Sequence, residues 1–514
     1  MNKDSNHDSS RNTFRDIPSD DDDMVEVTTT AETNLTGLRI PGLAVAVQRN
    51  QQLVEPTTVR QALNGPDAEK WRAAMAAEVA ALQRRGTWKL QTQFVDYNQT
   101  FAPVGHHTSV RILLCIAAVK HRPLRKIDVS NAFLYAIVDA IIYVEQPHAF
   151  EEEGDAICLL KKSLYGIKQA PRLWQQHLHS ILIELGFQQL PHDQGMYRLE
   201  SRGHFILLVA YVNDLLYTGD DTDLLDCFER EIQEKLKVTI DHEVTQFLDL
   251  SVTQTADTIH LSAAKYAETL AKKFGIAPVG VTTLFRIPPP NHEPDNTPLS
   301  LADLRLYQQQ LGCLLFAAVT CRPDLSYIAS QLAQYLRRPE GENLADLRRA
   351  LQYFISTPDV GLTYKANLTA PLQLTGYVDA DHAGDVDNKR SHTGFIFKLE
   401  PAGTISWNSN KQELIALSSA EAEFIAASAA VCEGLYLTEL LQETKMAMNG
   451  SFKLLCDNQS AIKIANKPGF VNRTKHIALR YFFVKDEIDK GTVQLIYCPA
   501  GEMAADFLTK KLPR

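Results

Sequence analysis

The chain has 514 residues, 45% of them hydrophobic, which is enough for three or four packed domains with sizeable apolar cores. Its eight cysteines are scattered singly with no Cys-x-x-Cys pair, which argues against a zinc site and favours reduced thiols in a cytoplasmic or nuclear protein. The formal net charge of −10 argues against an obvious basic nucleic-acid-binding face, although it excludes no such partner.

Much of the negative charge lies at the N-terminus. Residues 1–55 carry ten Asp and Glu against five Lys and Arg, and they include the run Asp20–Asp23. Because this stretch is polar and has no hydrophobic periodicity, we expect an acidic tail without fixed structure. No segment has the length and uniform apolarity of a membrane-spanning helix, and the start of the chain lacks a signal-peptide core. We therefore expect no membrane partner.

Helices and short strands are predicted next. Apolar residues at helical spacing predict a helix over 67–82. Between 110 and 146 the pattern predicts a helix, a strand that ends near Asp128 and a short helix. Residues 161–178 predict a loop containing Gly166 and Pro171, followed by a helix.

A β-hairpin is predicted over 205–217. Two apolar, β-prone runs flank the polar pair Asn213 and Asp214, which indicates a buried hairpin that presents Asp214 at its tip. Packing explains an acidic residue at such a place poorly. A carboxylate that faces solvent and a metal ion explains it better.

The remaining elements fall into a helical region and an α/β region. Helices are predicted over 264–274, 302–319, 325–336 and 344–356, with a proline-rich break at 287–294. From about residue 370, strands are predicted over 372–379, 394–399 and 404–408, then helix, strand and helix.

Four acidic residues are prominent in the last region. Each lies at the end of a predicted strand or on a predicted helix: Asp379, Glu423, Asp457 and Asp506. Singly, each is also explained as a solvated surface residue or a cap. Together they would repel one another unless cations neutralised them. Two Mg²⁺ ions (or Mn²⁺) about 3.5–4 Å apart would do so, activating a water and stabilising the leaving oxygen of a phosphodiester.

The segments around these acids carry a family resemblance. Residues 377–385, 405–412, 416–423, 456–461 and 473–477 resemble the ribonuclease H domain of copia-like LTR retrotransposon polyproteins. The resemblance implies that Asp379, Glu423, Asp457 and Asp506 bind two Mg²⁺ ions and cleave the RNA of an RNA–DNA hybrid. Phe482 stands where such elements usually carry histidine, and we assign it no catalytic role.

The resemblance extends upstream to about residue 55. Residues 71–88, 96–104, 127–134, 143–147, 161–174 and the Tyr211 hairpin resemble the copia-type reverse transcriptase, whose partners are template RNA and a DNA primer. It implies that Asp128 and the hairpin aspartate hold the Mg²⁺ of nucleotidyl transfer. It also implies that Phe133 and Lys168 bind the nucleotide, with Lys162 and Arg172 as further phosphate contacts. Core packing remains open for Phe133, and simple solvation for the basic residues.

Two departures from this family predict a defective polymerase. Asn213 replaces a metal-binding aspartate, and an amide brings no negative charge to a hard cation. Asp214 remains open as a substitute, although neighbours on a hairpin point in different directions. In addition, residues 88–97 run almost directly from the first helix to Asp96-Tyr97, where the family has several tens of residues of basic fingers strands. In smaller departures from the family, Tyr135-Ala136 stands in place of an Asn-Gly turn and Asp249 in place of a glycine.

The expected fold is an α/β multidomain chain with an α+β polymerase palm, a helical thumb/connection and a ribonuclease H-like α/β domain. The predicted boundaries are a tail over 1–55, a truncated fingers remnant over 56–95, the palm over 96–240, the thumb/connection over 241–365 and the ribonuclease H-like domain over 366–514. Two hypotheses follow: a ribonuclease H with an inactive polymerase domain, or a non-enzymatic transposon remnant that at most binds nucleic acid. The oligomeric state is left open.

Overall fold

The structure is a computed structural model. It describes residues 67–84, 88–90, 102–147, 157–286, 292–366, 371–385, 388–446, 450–466 and 478–511. The chain divides into two compact units, residues 1–81 and 82–514. Helix α1 (Ala68–Arg84) contains most of the described residues of the first unit, which confirms the first predicted helix. The predicted acidic tail lies outside the described residues.

A six-stranded antiparallel sheet lies in the segment predicted as the palm. Its strand order is β5-β6-β7-β8-β2-β9, with β2 at Leu124–Val129, β5 at Gln188–Gln189, β6 at Met196–Ser201, β7 at His204–Tyr211, β8 at Asp214–Gly219 and β9 at Val238–Asp241. Helix α2 (His107–Val119) packs on one face, and α3 (Ala170–Glu184) and α4 (Thr222–Lys235) pack on the other. Strand β7 therefore reads as one continuous apolar run, because alternate residues enter two different cores.

The structure also has a small three-stranded antiparallel sheet. It consists of β1 (Trp88–Leu90), β4 (Cys158–Leu160) and β3 (Tyr143–Val144), in that order. The sequence predicts that the family's fingers strands are absent from the segment around residues 88–97. Residues 91–101 lie outside the described residues.

The segment predicted as thumb/connection contains the expected helices α5 (Ala264–Phe274), α6 (Leu301–Thr320), α7 (Ser326–Ala333) and α8 (Gly341–Ser356). It also contains a four-stranded sheet, which corrects the purely helical expectation: β10 (Gln246–Phe247), β11 (Leu250–Gln254), β12 (Thr258–Ser262) and β13 (Gly361–Lys365). Strand β13 pairs with β12 across about a hundred residues of chain, so no local sequence pattern predicts this pairing.

The turn between β10 and β11 contains one of the positions at which this chain departs from the family. Leu248 and Asp249 occupy this turn with φ of 51° and 62°, which is the left-handed region. Glycine adopts that conformation without steric cost. The aspartate thus stands at a position whose backbone favours the glycine of the family.

The last region is an α/β domain, as expected. Its sheet has the order β16-β15-β14-β17-β18, with β14 at Gln373–Asp381, β15 at His392–Glu400, β16 at Gly403–Lys411, β17 at Phe452–Cys456 and β18 at Val493–Tyr497. Strands β14, β15 and β16 are antiparallel, whereas β14, β17 and β18 run parallel. The helices are α9 (Ser419–Glu443), α10 (Gln459–Asn466) and α11 (Ala478–Asp489).

Helix α9 bears on the expectation that no segment spans a membrane. By length and composition alone its 25 residues could cross a membrane. However, most of its apolar stretch is buried inside the protein, where residues such as Phe424 and Leu437 join the main core. An apolar helix that is mostly buried inside the protein is typical of the central helix of a globular domain.

A buried arginine joins helix α2, helix α6 and strand β16. Arg111 of α2 donates to the carbonyls of Val319 and Thr320 at the end of α6, at 2.8 and 2.9 Å. It also donates to the Ile405 carbonyl of β16 at 2.6 Å, and its guanidinium lies 4.1 Å from the centre of the Trp407 ring. The last carbonyls of a helix lack partners within the helix and carry its negative dipole end. Arg111 therefore caps α6 from another domain.

We expect the substitution Arg111→Met to lower the free energy of unfolding by about 3 kcal/mol or more, because buried carbonyls would lose their donors. Urea unfolding of the variant beside the wild type would measure it. Arg305→Met, on an exposed position of α6, is the matched control and should change stability by less than about 0.5 kcal/mol. Equal losses in both variants would contradict the capping role.

Candidate active sites

Two of the four predicted C-terminal acids meet at one edge of the sheet. Asp379 lies in β14, two residues before its end, and Asp457 directly follows β17. These strands are parallel neighbours in which Val378 pairs with Cys456. Because the carboxyl ends of parallel neighbours meet at one edge, the two carboxylates lie side by side.

Glu423 joins them from the first turns of α9. The helix begins at Ser419, and the Ser418 side chain caps it by accepting from the Glu421 backbone N–H at 3.3 Å. Glu423 is only 5% exposed, and its Oε2 atom has no hydrogen-bond partner. An unpartnered carboxylate oxygen at such burial is costly unless a cation meets it.

Asp506 reaches the same edge from the end of the chain. It begins a one-turn 3₁₀ helix, Asp506–Leu508, at the position where we predicted that the final helix starts. Gly394 of β15, the residue paired with Asp379, makes this approach possible. A Cβ atom at Gly394 would lie only 2.7 Å from Cβ of Leu508. The missing side chain thus lets the last turn pack directly on the sheet.

The four carboxylates act on one another. Burial, Asp379 and Asp457 raise the pKa of Glu423 to about 9. Burial, Asp379 and then Asp506 raise the pKa of Asp457, with Lys510 opposing the rise. Oxygen donors that repel one another in this way suit hard divalent cations such as Mg²⁺ or Mn²⁺. The residues present therefore fit the predicted metal site.

Three residues near this site were missed in the sequence. Thr509 Oγ1 donates to Asp379, and Lys510 pairs with both Asp379 and Asp506. The Cys456 Sγ atom, one carboxylate oxygen of Glu423 and one of Asp457 all lie within 4.8 Å of one another. The spacing of Asp506 and Lys510, four residues apart, was a usable signal for the lysine. For Cys456 there was none, since a cysteine that ends a buried strand resembles any small apolar residue.

The palm residues are also brought together. Asn213 Nδ2 donates to Asp128 Oδ1 at 2.6 Å, and Asp214 lies 3.3 Å from Lys126 Nζ. Val212 and Asn213 form the two-residue turn, so Asn213 lies at the hairpin tip and Asp214 opens β8, opposite Asp128. This corrects the expectation that Asp214 lies at the tip. The reason is the left-handed conformation of Val212, with φ of 55°, which closes the turn one residue earlier.

The two palm carboxylates thus have neighbours that differ from those of the C-terminal site. Asp128 accepts from an amide, and Asp214 faces an ammonium group. Burial raises the pKa of Asp214, and Lys126 opposes that rise. As placed, the set offers two carboxylates and a donor amide, which fits a pair of divalent cations less well than the C-terminal cluster does.

The predicted nucleotide-binding residues lie beside the palm. Phe133 is half-buried in a 3₁₀ helix, with its ring centre 5.7 Å from that of Tyr165. It also packs against a palm core, so its core-packing alternative stays open. Lys168 is exposed, whereas Arg172 forms an ion pair with Asp139. The nucleotide roles of Phe133 and Lys168 remain predictions.

Comparison with known proteins identifies the family. Residues 83–285 match the reverse transcriptase (RNA-dependent DNA polymerase) family. The chain is 34% identical over 312 residues to the transposon Ty5-1 protein of Saccharomyces cerevisiae. That alignment covers 60% of this chain and 99% of that protein. This chain belongs to the copia-type retrotransposon polyprotein family.

Other relatives of this copia-type chain agree. It is 32% identical over 503 residues to the retrovirus-related Pol polyprotein from transposon RE2 of Arabidopsis thaliana. That alignment covers 90% of this chain but only 34% of the polyprotein, so the chain spans about a third of that relative's length. A foamy viral protease-reverse transcriptase solved with an RNA/DNA hybrid has the same fold at 14% identity and a TM-score of 0.50, covering 87% of this chain and 56% of that one. The multidomain α/β fold predicted from the sequence is thereby confirmed.

A wide cleft in the copia-type chain was not foreseen. Its volume is about 640 Å³, and its walls include Tyr211 of the palm hairpin, His107 of α2 and Trp407, Asn408 and Asn410 of β16. Tyr211 stacks on the His107 ring with centres 6.1 Å apart. Burial and the nearby Arg111 lower the pKa of His107 to about 4, so the ring is neutral at physiological pH. The aromatic rings and amide side chains that line the cleft come from residues far apart in the sequence.

The raised pKa of Glu423 predicts a pH-dependent stability of the metal-free protein. Folding favours the protonated carboxyl, so the folded state keeps a proton that the unfolded state releases above its ordinary pKa of 4.5. Stability should therefore fall as pH rises from 4.5 towards 9, by up to about 1.4 kcal/mol per pH unit. Urea unfolding in a chelator at several pH values would measure the fall, and Glu423→Gln should reduce it. A difference between the two proteins that is constant with pH would contradict the assignment.

Proposed function

We propose that this copia-type chain is a metal-dependent ribonuclease H, attached to a reverse transcriptase palm that no longer polymerises. The observation that carries the proposal is the buried Glu423 carboxylate, whose Oε2 atom has no partner and which lies among Asp379, Asp457 and Asp506. The relatives' names and the hybrid bound to the foamy viral enzyme support a nucleic-acid substrate.

Each residue of the C-terminal site has a role in this proposal. When bound, two divalent cations would activate a water and stabilise the leaving oxygen of a phosphodiester. Asp379, Glu423, Asp457 and Asp506 would hold those cations. Thr509 would fix the orientation of Asp379 through the hydroxyl hydrogen bond to its Oδ2 atom. The burial of Glu423 would exclude bulk water from the inner wall of the site.

The substrate in this proposal is an RNA–DNA hybrid. Hybrid selection would come from minor-groove shape and the 2′-hydroxyls of the RNA strand rather than from base sequence. The chain carries a formal net charge of −10, so binding should be weak and should fall as salt rises. In this proposal the chain would act in the cytoplasm or the nucleus.

The palm in this proposal is catalytically impaired, because Asn213 cannot supply the charge of the family's aspartate and instead donates to Asp128. Asp214 would be a poor substitute, since Lys126 lies 3.3 Å from its carboxylate. The palm would then retain a role as a folded support.

The deciding experiment is cleavage of one labelled RNA in three forms: alone, paired with DNA and paired with RNA. The proposal expects cutting of the RNA–DNA hybrid alone, and only with Mg²⁺ or Mn²⁺. Cutting of the single strand at an equal rate would contradict hybrid selection. No cutting of any form at any metal concentration would favour the non-enzymatic remnant.

A further inference from the structure

One ammonium group lies inside the carboxylate cluster of the C-terminal domain. Lys510 Nζ is 2.9 Å from Asp506 Oδ1 and 3.5 Å from Asp379 Oδ2. The side chain of Asp379 is 3% exposed, whereas that of Lys510 is 45% exposed. The lysine therefore enters the site from solvent and bridges two carboxylates that come from opposite ends of the domain's sequence.

We propose that Lys510 is a built-in counterion of this site, and that a divalent cation must displace its ammonium group from Asp379 and Asp506 in order to bind. Lys510 would then set the affinity of the site for metal. The inference rests on the proposed metal-dependent nuclease function and deepens it.

The geometry supports competition. An ammonium group and a divalent cation both need the oxygens of Asp379 and Asp506, and neither can approach those atoms while the other is there. The flexible four-carbon stem of lysine allows the displaced group to move into solvent, since the side chain is already half exposed. Asp379 would stay in place during the exchange, because Thr509 Oγ1 also donates to it.

The charge of Lys510 acts on the whole cluster rather than on one neighbour. It opposes the rise in pKa of Glu423 and of Asp457, which lie on other elements. An ordinary surface pair behaves differently. Lys490 of the same domain also pairs with a residue four positions before it, Asp486, at 2.6 Å, but both of those side chains are more than half exposed, and its second partner, Glu487 at 2.8 Å, lies on the same helix α11. Lys490 is therefore a matched control with the same charge and spacing.

Competition predicts the direction of a substitution. A site that binds metal only when the lysine is displaced has its apparent affinity reduced by the fraction of time it is open. Removing the ammonium group should therefore tighten metal binding by about tenfold, if the open fraction is about a tenth. A lysine that instead helped to build the site would have the opposite effect.

The test is calorimetric titration of the full chain with Mn²⁺, without nucleic acid. Lys510→Met should bind about tenfold more tightly than the wild type and should show a larger metal-induced rise in melting temperature. Lys510→Gln provides the same measurement in a neutral polar variant, should the methionine variant not fold. Lys490→Met should match the wild type, and Asp457→Asn should lose the binding in question.

Several outcomes would overturn the inference. Equal or weaker metal binding by both Lys510 variants would overturn it alone and leave the nuclease proposal standing. An equal gain in Lys490→Met would show a general effect of net charge and would also overturn it. No metal binding by the wild type or by either Lys510 variant would overturn the counterion and the proposed nuclease together.

Discussion

Replacing Asp457 by asparagine is expected to reduce hybrid cleavage by about 10³-fold or more. The carboxylate directly follows β17 and lies beside Asp379 and Glu423, with which it would share the proposed cations. Loss of one charged ligand should remove about 4 kcal/mol of transition-state stabilisation, which corresponds to that factor in rate. Initial rates on a labelled hybrid, with wild type and variant at equal concentration, would measure the loss.

The control for this prediction is a second Asp→Asn change in the same domain. Asp486 lies on α11 and pairs with Lys490 on the surface, so Asp486→Asn should leave the cleavage rate within about twofold of the wild type. Both variants should melt close to the wild type in the absence of metal, because the amide has the shape of the carboxylate. If Asp457→Asn cuts as fast as the wild type, the activity does not come from this site.

The second large effect concerns the polymerase. The chain as it stands is expected to incorporate dTTP on a poly-A template about 10³-fold more slowly than a palm with three metal-binding carboxylates, or not at all. Asn213 is the reason, because its amide donates to Asp128 at 2.6 Å where the family has a second negative charge. Primer extension with the purified chain would test this expectation.

The variant Asn213→Asp separates two causes of the defect. If the amide alone were responsible, this variant would restore extension. We expect no restoration, since the sequence between residues 88 and 97 is too short for the family's basic fingers strands, which are predicted to hold the triphosphate. Hybrid cleavage by the same preparations would show that the protein is folded. Robust dTTP incorporation by the unmodified chain would contradict the prediction of a defective palm.

Local patterns were sufficient for many of the elements and for the candidate acids. The hairpin strands β7 and β8 were visible as apolar runs, because both faces of the palm sheet are buried. Helices such as α5 and α8 were visible from their 3.6-residue periodicity. Asp379 and Asp457 were recognisable because each comes near the end of a β-strand, and the order of the flanking motifs indicated the family.

Long-range contacts decided the rest. The pairing of β12 with β13 joins segments about a hundred residues apart, and the cap that Arg111 provides for α6 joins three regions of the chain. Neither of these contacts produces a periodic pattern in the sequence, because each depends on which surfaces meet after the elements have formed. The place of Lys510 depends in the same way on Gly394, whose missing side chain lets the last turn approach β15. Spacing along the chain governs local hydrogen bonding and burial, whereas the close approach of distant charges is set only when the core has packed.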